Sequence, residues 1–149
     1  MTYYGSKQLA EVYKEQLADV GITMEIELLE FATLLDRTLK QEFDASSLQW
    51  SGRPDPDGNI YNYFYSTGSG NRSQYANPEV DKILDQTRAV SDQAERKKLY
   101  SQLNEILTVD NPMIYIQHRP EVKVMSKQVK GFVHNPDGMM RFAGVTLAR

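Results

Sequence analysis

Hydrophobic positions near the start of the chain recur at helical spacing. Leu9, Val12, Tyr13, Leu17 and Val20 fall on one face, Ser6 stands where an N-cap belongs, and Gly21 supplies a left-handed stop, so the pattern predicts a helix over about 7–20. The period then changes to two. Ile22, Met24, Ile26 and Leu28 alternate with Thr23, Glu25 and Glu27, which predicts a half-buried strand. A short helix follows with Leu34, Leu35 and Leu39 inward, and residues 45–50 read as a second strand. A helix between two strands predicts a β-α-β crossover, and hence an α/β layered domain with parallel pairing.

Periodicity fades over 51–76. A connection this long inside a compact domain is usually functional or disordered, and Tyr61, Tyr63, Phe64, Tyr65 and Tyr75 argue against disorder. Its Gly68-Ser69-Gly70-Asn71-Arg72 run lacks the Lys-Ser/Thr ending of a phosphate loop and reads as a flexible connector. Regularity returns at Asn77-Pro78-Glu79-Val80-Asp81, an N-cap, a proline at the first helical position and two acids at the positive end of the helix dipole. Val80, Ile83, Leu84 and Thr87 form the buried stripe of a helix ending near Val90. Asp92 and Glu95 form a capping-box pair for a second helix over about 93–108, buried through Leu99, Tyr100, Leu103, Ile106 and Leu107. Asp110-Asn111-Pro112 ends it. Met113 to Gln117 reads as a strand, with short extended segments at 122–124, 131–133 and 142–147 and a turn at Asn135-Pro136-Asp137-Gly138. The change of character near Arg119 marks a boundary, and the tail beyond it reads as strands that pair with something else.

Composition narrows the function classes. The 149 residues suffice for one domain with a core, and a net charge of -3 offers no electrostatic case for nucleic acid or an anionic membrane. No apolar run approaches the roughly 20 residues of a membrane span. Met1 to Ser6 lacks the basic and apolar segments of a signal peptide. Zero cysteines exclude thiolate metal sites and cysteine nucleophiles, and His118 and His134 alone make a histidine metal cluster or a Ser-His-Asp triad a poor expectation. No metal and no cofactor are expected.

The chemistry concentrates in Gln49 to Tyr61, where rings, charges and turn residues follow a strand, as a small-molecule pocket requires. Trp50 is either a pocket wall or a core tryptophan at a strand end. Tyr61, Asn62, Tyr63 and Tyr75 either touch a ligand or pack the long loop. Asp55, Asp57 and Asn59 resemble the start of a calcium loop, but Ile60 and Ser66 stand where that loop needs Gly and Glu, so a turn held by Pro and Asx chemistry is expected instead. As a pair, Asp55 and Asp57 could serve as acid and base in a small α/β hydrolase. A protein-interaction module recruiting through the Lys-rich tail is a third reading.

Four stretches, in this order, carry a family resemblance: Leu17-Ala18-Asp19-Val20-Gly21-Ile22, Gln49-Trp50-Ser51-Gly52 with Asp55-Pro56-Asp57 behind it, Tyr75-Ala76-Asn77-Pro78-Glu79-Val80-Asp81, and Ala94-Glu95-Arg96-Lys97-Lys98-Leu99-Tyr100. With Val129-Lys130-Gly131-Phe132 they resemble family 5 extracellular solute-binding proteins, the peptide, dipeptide, nickel and glutathione receptors of bacterial ABC importers. The resemblance implies a type II periplasmic-binding-protein lobe, a three-layer mixed sheet flanked by helices. It implies that 1–118 form a ligand-binding C-terminal lobe and that 119–149 are the hinge crossing and strands of a second lobe. It implies a monomeric periplasmic or extracellular lipoprotein-type receptor, with its signal peptide on a preceding segment, that captures a peptide-like or other small amphiphilic solute for an inner-membrane ABC permease without catalysis. Gln49, Trp50 and Ser51 inherit main-chain contacts to an extended ligand. Peptide-binding members often carry, three residues after the tryptophan, an Asp that pairs with the ligand's ammonium. Arg53 stands there, so a charge-assisted bond of about 1.5–3 kcal/mol is replaced by repulsion, and an anionic or carbonyl-rich ligand group is expected instead. Pairing of Arg53 with Asp55 or Asp57, and transfer of the ammonium role to Asp55, stay open.

Overall fold

The computed structural model describes residues 1–50, 52–116 and 120–148, with Tyr4 described by its backbone alone. The chain divides into two compact units, Met1–Trp50 and Ser51–Arg149.

In the first unit, β1 (Thr2–Tyr3) leads through a short 3-10 turn into α1 (Lys7–Asp19) and returns to β2 (Leu28–Leu29). The two strands pair in parallel, Thr2 opposite Leu28 and Tyr3 opposite Leu29, so a β-α-β crossover is present but built around the first helix rather than the second. The stop of α1 is as expected: Gly21 has φ +82°, its N–H bonds Ala18 O at 3.0 Å, and the Ile22 N–H bonds Leu17 O at 2.9 Å, a Schellman motif. The cap is not, because the Ser6 side chain makes no capping bond. Ala10 is the buried residue of α1, and Leu9, Tyr13 and Leu17 are half-buried as the pattern predicts, while Val12 and Val20 are exposed.

Residues 24–28 keep the predicted alternation of half-buried and exposed side chains, yet only Leu28 and Leu29 join a ladder. Residues 45–50 form no strand either. Backbone bonds from the Met1 ammonium to Ala45 O (2.6 Å) and from Ser47 N–H to Met1 O (3.2 Å) set this segment beside Met1. Since successive residues of a strand point their backbone groups to opposite sides, 45–47 lie along the edge of β1 opposite β2. In α2 (Phe31–Leu39), Leu34 and Thr38 are the buried residues and Leu39 is exposed. The i, i+4 pair sets the face, and the Thr38 hydroxyl is satisfied by donating to Leu35 O at 2.9 Å.

In the second unit, α3 (Asp57–Phe64) occupies ground the periodicity left as loop. The signal was Ile60 with Phe64, an i, i+4 pair whose second member is buried. The helix pair α4 (Pro78–Ala89) and α5 (Gln93–Asp110) is as the pattern predicts. Asn77 Oδ1 accepts the Glu79 N–H at 3.0 Å, Asp92 Oδ1 accepts the Glu95 N–H at 2.8 Å, and Asn111 closes α5 in the left-handed region with φ +45°. Val80, Ile83, Leu84, Leu103 and Leu107 form one core with Phe64, and Leu99, Tyr100 and Ile106 pack partly buried against it. Each fully buried apolar side chain there contributes about 1.5–3 kcal/mol.

After α5, Met113 to Ile116 form no strand, and Gln117 lies outside the described residues, as do His118 and Arg119 at the predicted boundary. The tail contributes β3 (Val129–Lys130), antiparallel to β4 (Thr146–Leu147). Residues 122–124 and 131–133 are not strands. Among the described residues the sheets are two-stranded and no three-layer sheet is present. Alternation suits a segment to one face of a sheet, but a ladder also requires a partner strand for its N–H and C=O groups. No described helix is long and apolar enough to cross a membrane.

Candidate ligand-binding site

The division into units falls within the candidate stretch, after Trp50. In the first unit, Gln49 is exposed, with Oε1 accepting from the Tyr3 hydroxyl at 3.0 Å, and Trp50 is 47% exposed. Ser51 lies outside the described residues.

In the second unit, the loop from Gly52 to Pro56 is built by its own side chains. Asn59, at the start of α3, reaches back: Oδ1 accepts the Arg53 N–H at 2.7 Å, and Nδ2 donates to Arg53 O at 2.7 Å and Asp55 O at 3.1 Å. Asp55 Oδ1 accepts the Asp57 N–H at 2.8 Å, an Asx turn that leads into the helix. The acids, prolines and Asn59 thus close a turn, and among the described residues no group of three or more acids or histidines could hold a metal ion.

Each acid is also tied to a helix. Arg96, near the start of α5, grips Asp55 through two bonds of 3.0 and 2.8 Å and sends Nε to Thr87 O at 3.1 Å. Arg88, in the last turn of α4, grips Asp57 through bonds of 2.7 and 2.9 Å. Both pairs have the parallel two-bond geometry that guanidinium and carboxylate share. The Arg96 bonds hold the Asp55 carboxyl below the usual carboxylate range, and the Asp57 bonds raise Arg88 further above neutrality. With its oxygens engaged, Asp55 is poorly placed as a general base or as an ammonium anchor.

Arg53 differs. Its stem lies over Gly58, where an added Cβ would stand 3.1 Å from Cβ and Cγ of Arg53. Its side chain is exposed, and among the described residues its guanidinium has no acid or hydrogen-bond partner. Pairing with Asp55 or Asp57, one of the readings left open, is therefore not what the structure contains.

The aromatic candidates are largely engaged in packing. Tyr61 stacks on Tyr65 with centroids 4.6 Å apart, the Arg88 guanidinium carbon sits 3.2 Å from its ring centre, and its hydroxyl donates to Asp85 at 3.0 Å. Burial and that bond push its pKa up to about 12. Tyr75 meets Phe64 edge to face at 6.4 Å and donates to Asp110, and burial with that bond takes its pKa also to about 12. Tyr63 lies against Gly70, whose added Cβ would stand 2.8 Å from the ring. Asn62 exposes its side chain while its carbonyl accepts the Gly70 N–H at 3.0 Å.

The glycine-rich run is not a loose connector. Asn71 donates to the carbonyls of Tyr65 (3.2 Å), Ser66 (3.4 Å) and Tyr75 (2.7 Å), and accepts the Tyr75 N–H at 3.2 Å. A single amide that replaces missing backbone partners orders the turn without periodicity. Arg88, Arg96, Asn71, Asp85 and Asp110 were all missed as organisers. Their signal was indirect: arginines flanking the α4–α5 junction opposite an acidic turn.

Among the described residues of this turn, Asp55 and Asp57 are paired with arginines of the helix pair and the Arg53 guanidinium is presented to solvent. The sequence profile for bacterial extracellular solute-binding proteins, family 5 (middle), matches residues 2–71. The probable D,D-dipeptide-binding periplasmic protein of Escherichia coli (strain K12) is 34% identical over 132 residues, 86% of this chain and 26% of that protein. Heme-binding protein A of Haemophilus influenzae is 30% identical over 95% of this chain and 26% of its own length. Among solved structures, a dipeptide-binding protein from Pseudoalteromonas sp. SM9913 in complex with Met-Leu superposes with a TM-score of 0.79 at 26% identity, over 94% of this chain and 28% of that one.

The chain is therefore part of a periplasmic-binding-protein fold. It belongs to family 5 of the bacterial extracellular solute-binding proteins, a family of binding proteins rather than enzymes. It spans about a quarter of the length of the curated relatives it matches.

Proposed function

We propose that the chain supplies the ligand-gripping part of a two-lobe receptor, which closes on a peptide-like or other small amphiphilic solute and delivers it to an inner-membrane ABC permease. The observation that carries this reading is the likeness over 86% of the chain to a protein named as D,D-dipeptide-binding. The match to a Met-Leu complex supports it. In this reading residues 1–118 form the lobe and 119–149 cross to the second one. The short ladders β1–β2 and β3–β4 are extended into a three-layer sheet by further chain, and the intact receptor is a monomer outside the inner membrane. Gln49, Trp50 and Ser51 offer ring and main-chain contacts to the solute, and Asn62 and Tyr63 offer further polar and ring contacts. Tyr61, Tyr75 and Asp55 shape the loop, and Arg53 meets an anionic or carbonyl group of the solute.

The test is calorimetry on the intact receptor with Met-Leu, alongside mass spectrometry of what co-purifies with it. Met-Leu or a co-purified peptide-like solute should bind, and Trp50→Ala should weaken that binding about tenfold or more, as expected for loss of an aromatic anchor. The 149-residue chain alone, holding one jaw, should bind far more weakly. An intact receptor that neither carries nor binds a peptide-like solute would refute the proposal.

A further inference from the structure

The turn beside Arg53 contains two carboxylates, and both are already paired. Each is held by two bonds from an arginine on another element: Asp55 by Arg96 of α5, Asp57 by Arg88 of α4. Without those arginines the turn from Arg53 to Asp57 would carry two negative charges and one positive. With them, both carboxylates are neutralised in place, and the charge left over is that of Arg53. Its backbone is fixed by the Asn59 amide and its stem is supported at Gly58.

We infer that Arg88 and Arg96 determine the sign of charge this site accepts: by tying Asp57 and Asp55 they leave Arg53 as the loop's only offered charge, so the site takes the carboxylate of a solute and does not require an ammonium group. Neither arginine needs to touch the solute; they are positioning residues acting through the acids they hold. The inference rests on the receptor reading above and names the solute class for its site. Arg96 is the sharper case. Asp55 is the more exposed acid, with 56% of its side chain accessible against 26% for Asp57, so its carboxylate is the one a solute could reach once released.

Selectivity tests this where stability alone would not. The probes are Met-Leu and N-acetyl-Met-Leu, which share a carboxylate and differ in the ammonium group, measured by calorimetry on the intact receptor. Wild type should bind the acetylated probe at least as tightly as the free one. Arg96→Gln releases Asp55 and should shift the affinity ratio toward the free ammonium about tenfold or more, the scale of one charge-assisted bond. Adding Asp55→Asn to Arg96→Gln should return the ratio to the wild-type value although the tie stays broken, which separates charge from loosening of the loop. Arg53→Ala should weaken both probes. An unchanged ratio in Arg96→Gln, with melting temperature retained and Arg53→Ala still weakening binding, overturns the inference and leaves the receptor reading standing. Absence of binding of both probes to wild type overturns the inference, and overturns the receptor reading as well where no peptide-like solute co-purifies.

Discussion

The α4–α5 helix pair and the tail from Pro120 onward belong to the same unit and carry comparable densities of apolar residues, but they dispose of them in opposite ways. In the pair, Val80, Ile83, Leu84, Leu103 and Leu107 are buried, and both N-caps are filled by side chains of the chain itself. In the tail, Val122, Val124, Val133, Phe142 and Leu147 are all strongly exposed, Val124 at 93%, and two residue pairs form the described ladder. A helix satisfies its backbone internally and needs a neighbour only for one stripe. A strand needs a neighbour for both backbone and side chains. The first kind of element needs only one stripe covered, as α4 and α5, together with Phe64, cover each other; the second depends on what lies next to it.

The largest effect expected from this contrast is in the core of the pair. Leu84 is fully buried at the contact of α4 with α5, and Leu84→Ala should cost about 2–5 kcal/mol through lost burial and the cavity left behind. Urea denaturation followed by circular dichroism measures it. A cost below about 1 kcal/mol would mean that the pair is not the stabilising centre of its unit.

The same contrast explains what was legible in advance. The limits of α4, its cap and its four buried residues followed from the sequence alone, because cap chemistry and a 3.6-residue period act within one helix. The segment 22–28, predicted as a strand, keeps its alternation over 24–28, but its lack of ladder partners was not legible, since pairing is a relation between segments. The helix α3 was missed because aromatic residues at nearly every position from Tyr61 to Tyr65 obscured the Ile60–Phe64 spacing. At the candidate site, the turn chemistry of Asp55, Asp57 and Asn59 was legible as a turn. Their arginine partners were not, for Arg88 and Arg96 lie 31 and 41 residues away in sequence. That distance is why the sequence leaves pairing of Arg53 with Asp55 or Asp57 open, whereas in the structure Arg96 and Arg88 hold those acids.

A smaller effect is expected at the entry to the pair. The Asn77 side chain accepts the Glu79 N–H and also donates to Asp110 at 2.9 Å, linking the start of α4 to the end of α5. Asn77→Ala should destabilise by about 1 kcal/mol, whereas Asn77→Asp should keep the cap while placing a second carboxylate beside Asp110. If the alanine variant is neutral in thermal melts, the pair owes its definition to packing alone, and the local half of the contrast loses its weight.

The smallest effect falls on the tail. Val124→Ser alters a side chain that touches little within the chain, and the stability of the 149-residue chain should change by less than about 0.5 kcal/mol. In the intact receptor the outcome should differ. If 119–149 cross to a second lobe, that side chain meets a neighbouring layer, and the same substitution should cost about 1 kcal/mol or more, because a hydroxyl then replaces buried apolar surface. Comparing the two denaturation midpoints isolates the tail's dependence on its surroundings, since the local sequence is identical in both. Equal, negligible costs in both would mean that Val124 lies on a solvent-facing edge even in the intact protein. The apolar tail would then have to bury its surface through Phe142 and Leu147 rather than through the 122–124 segment.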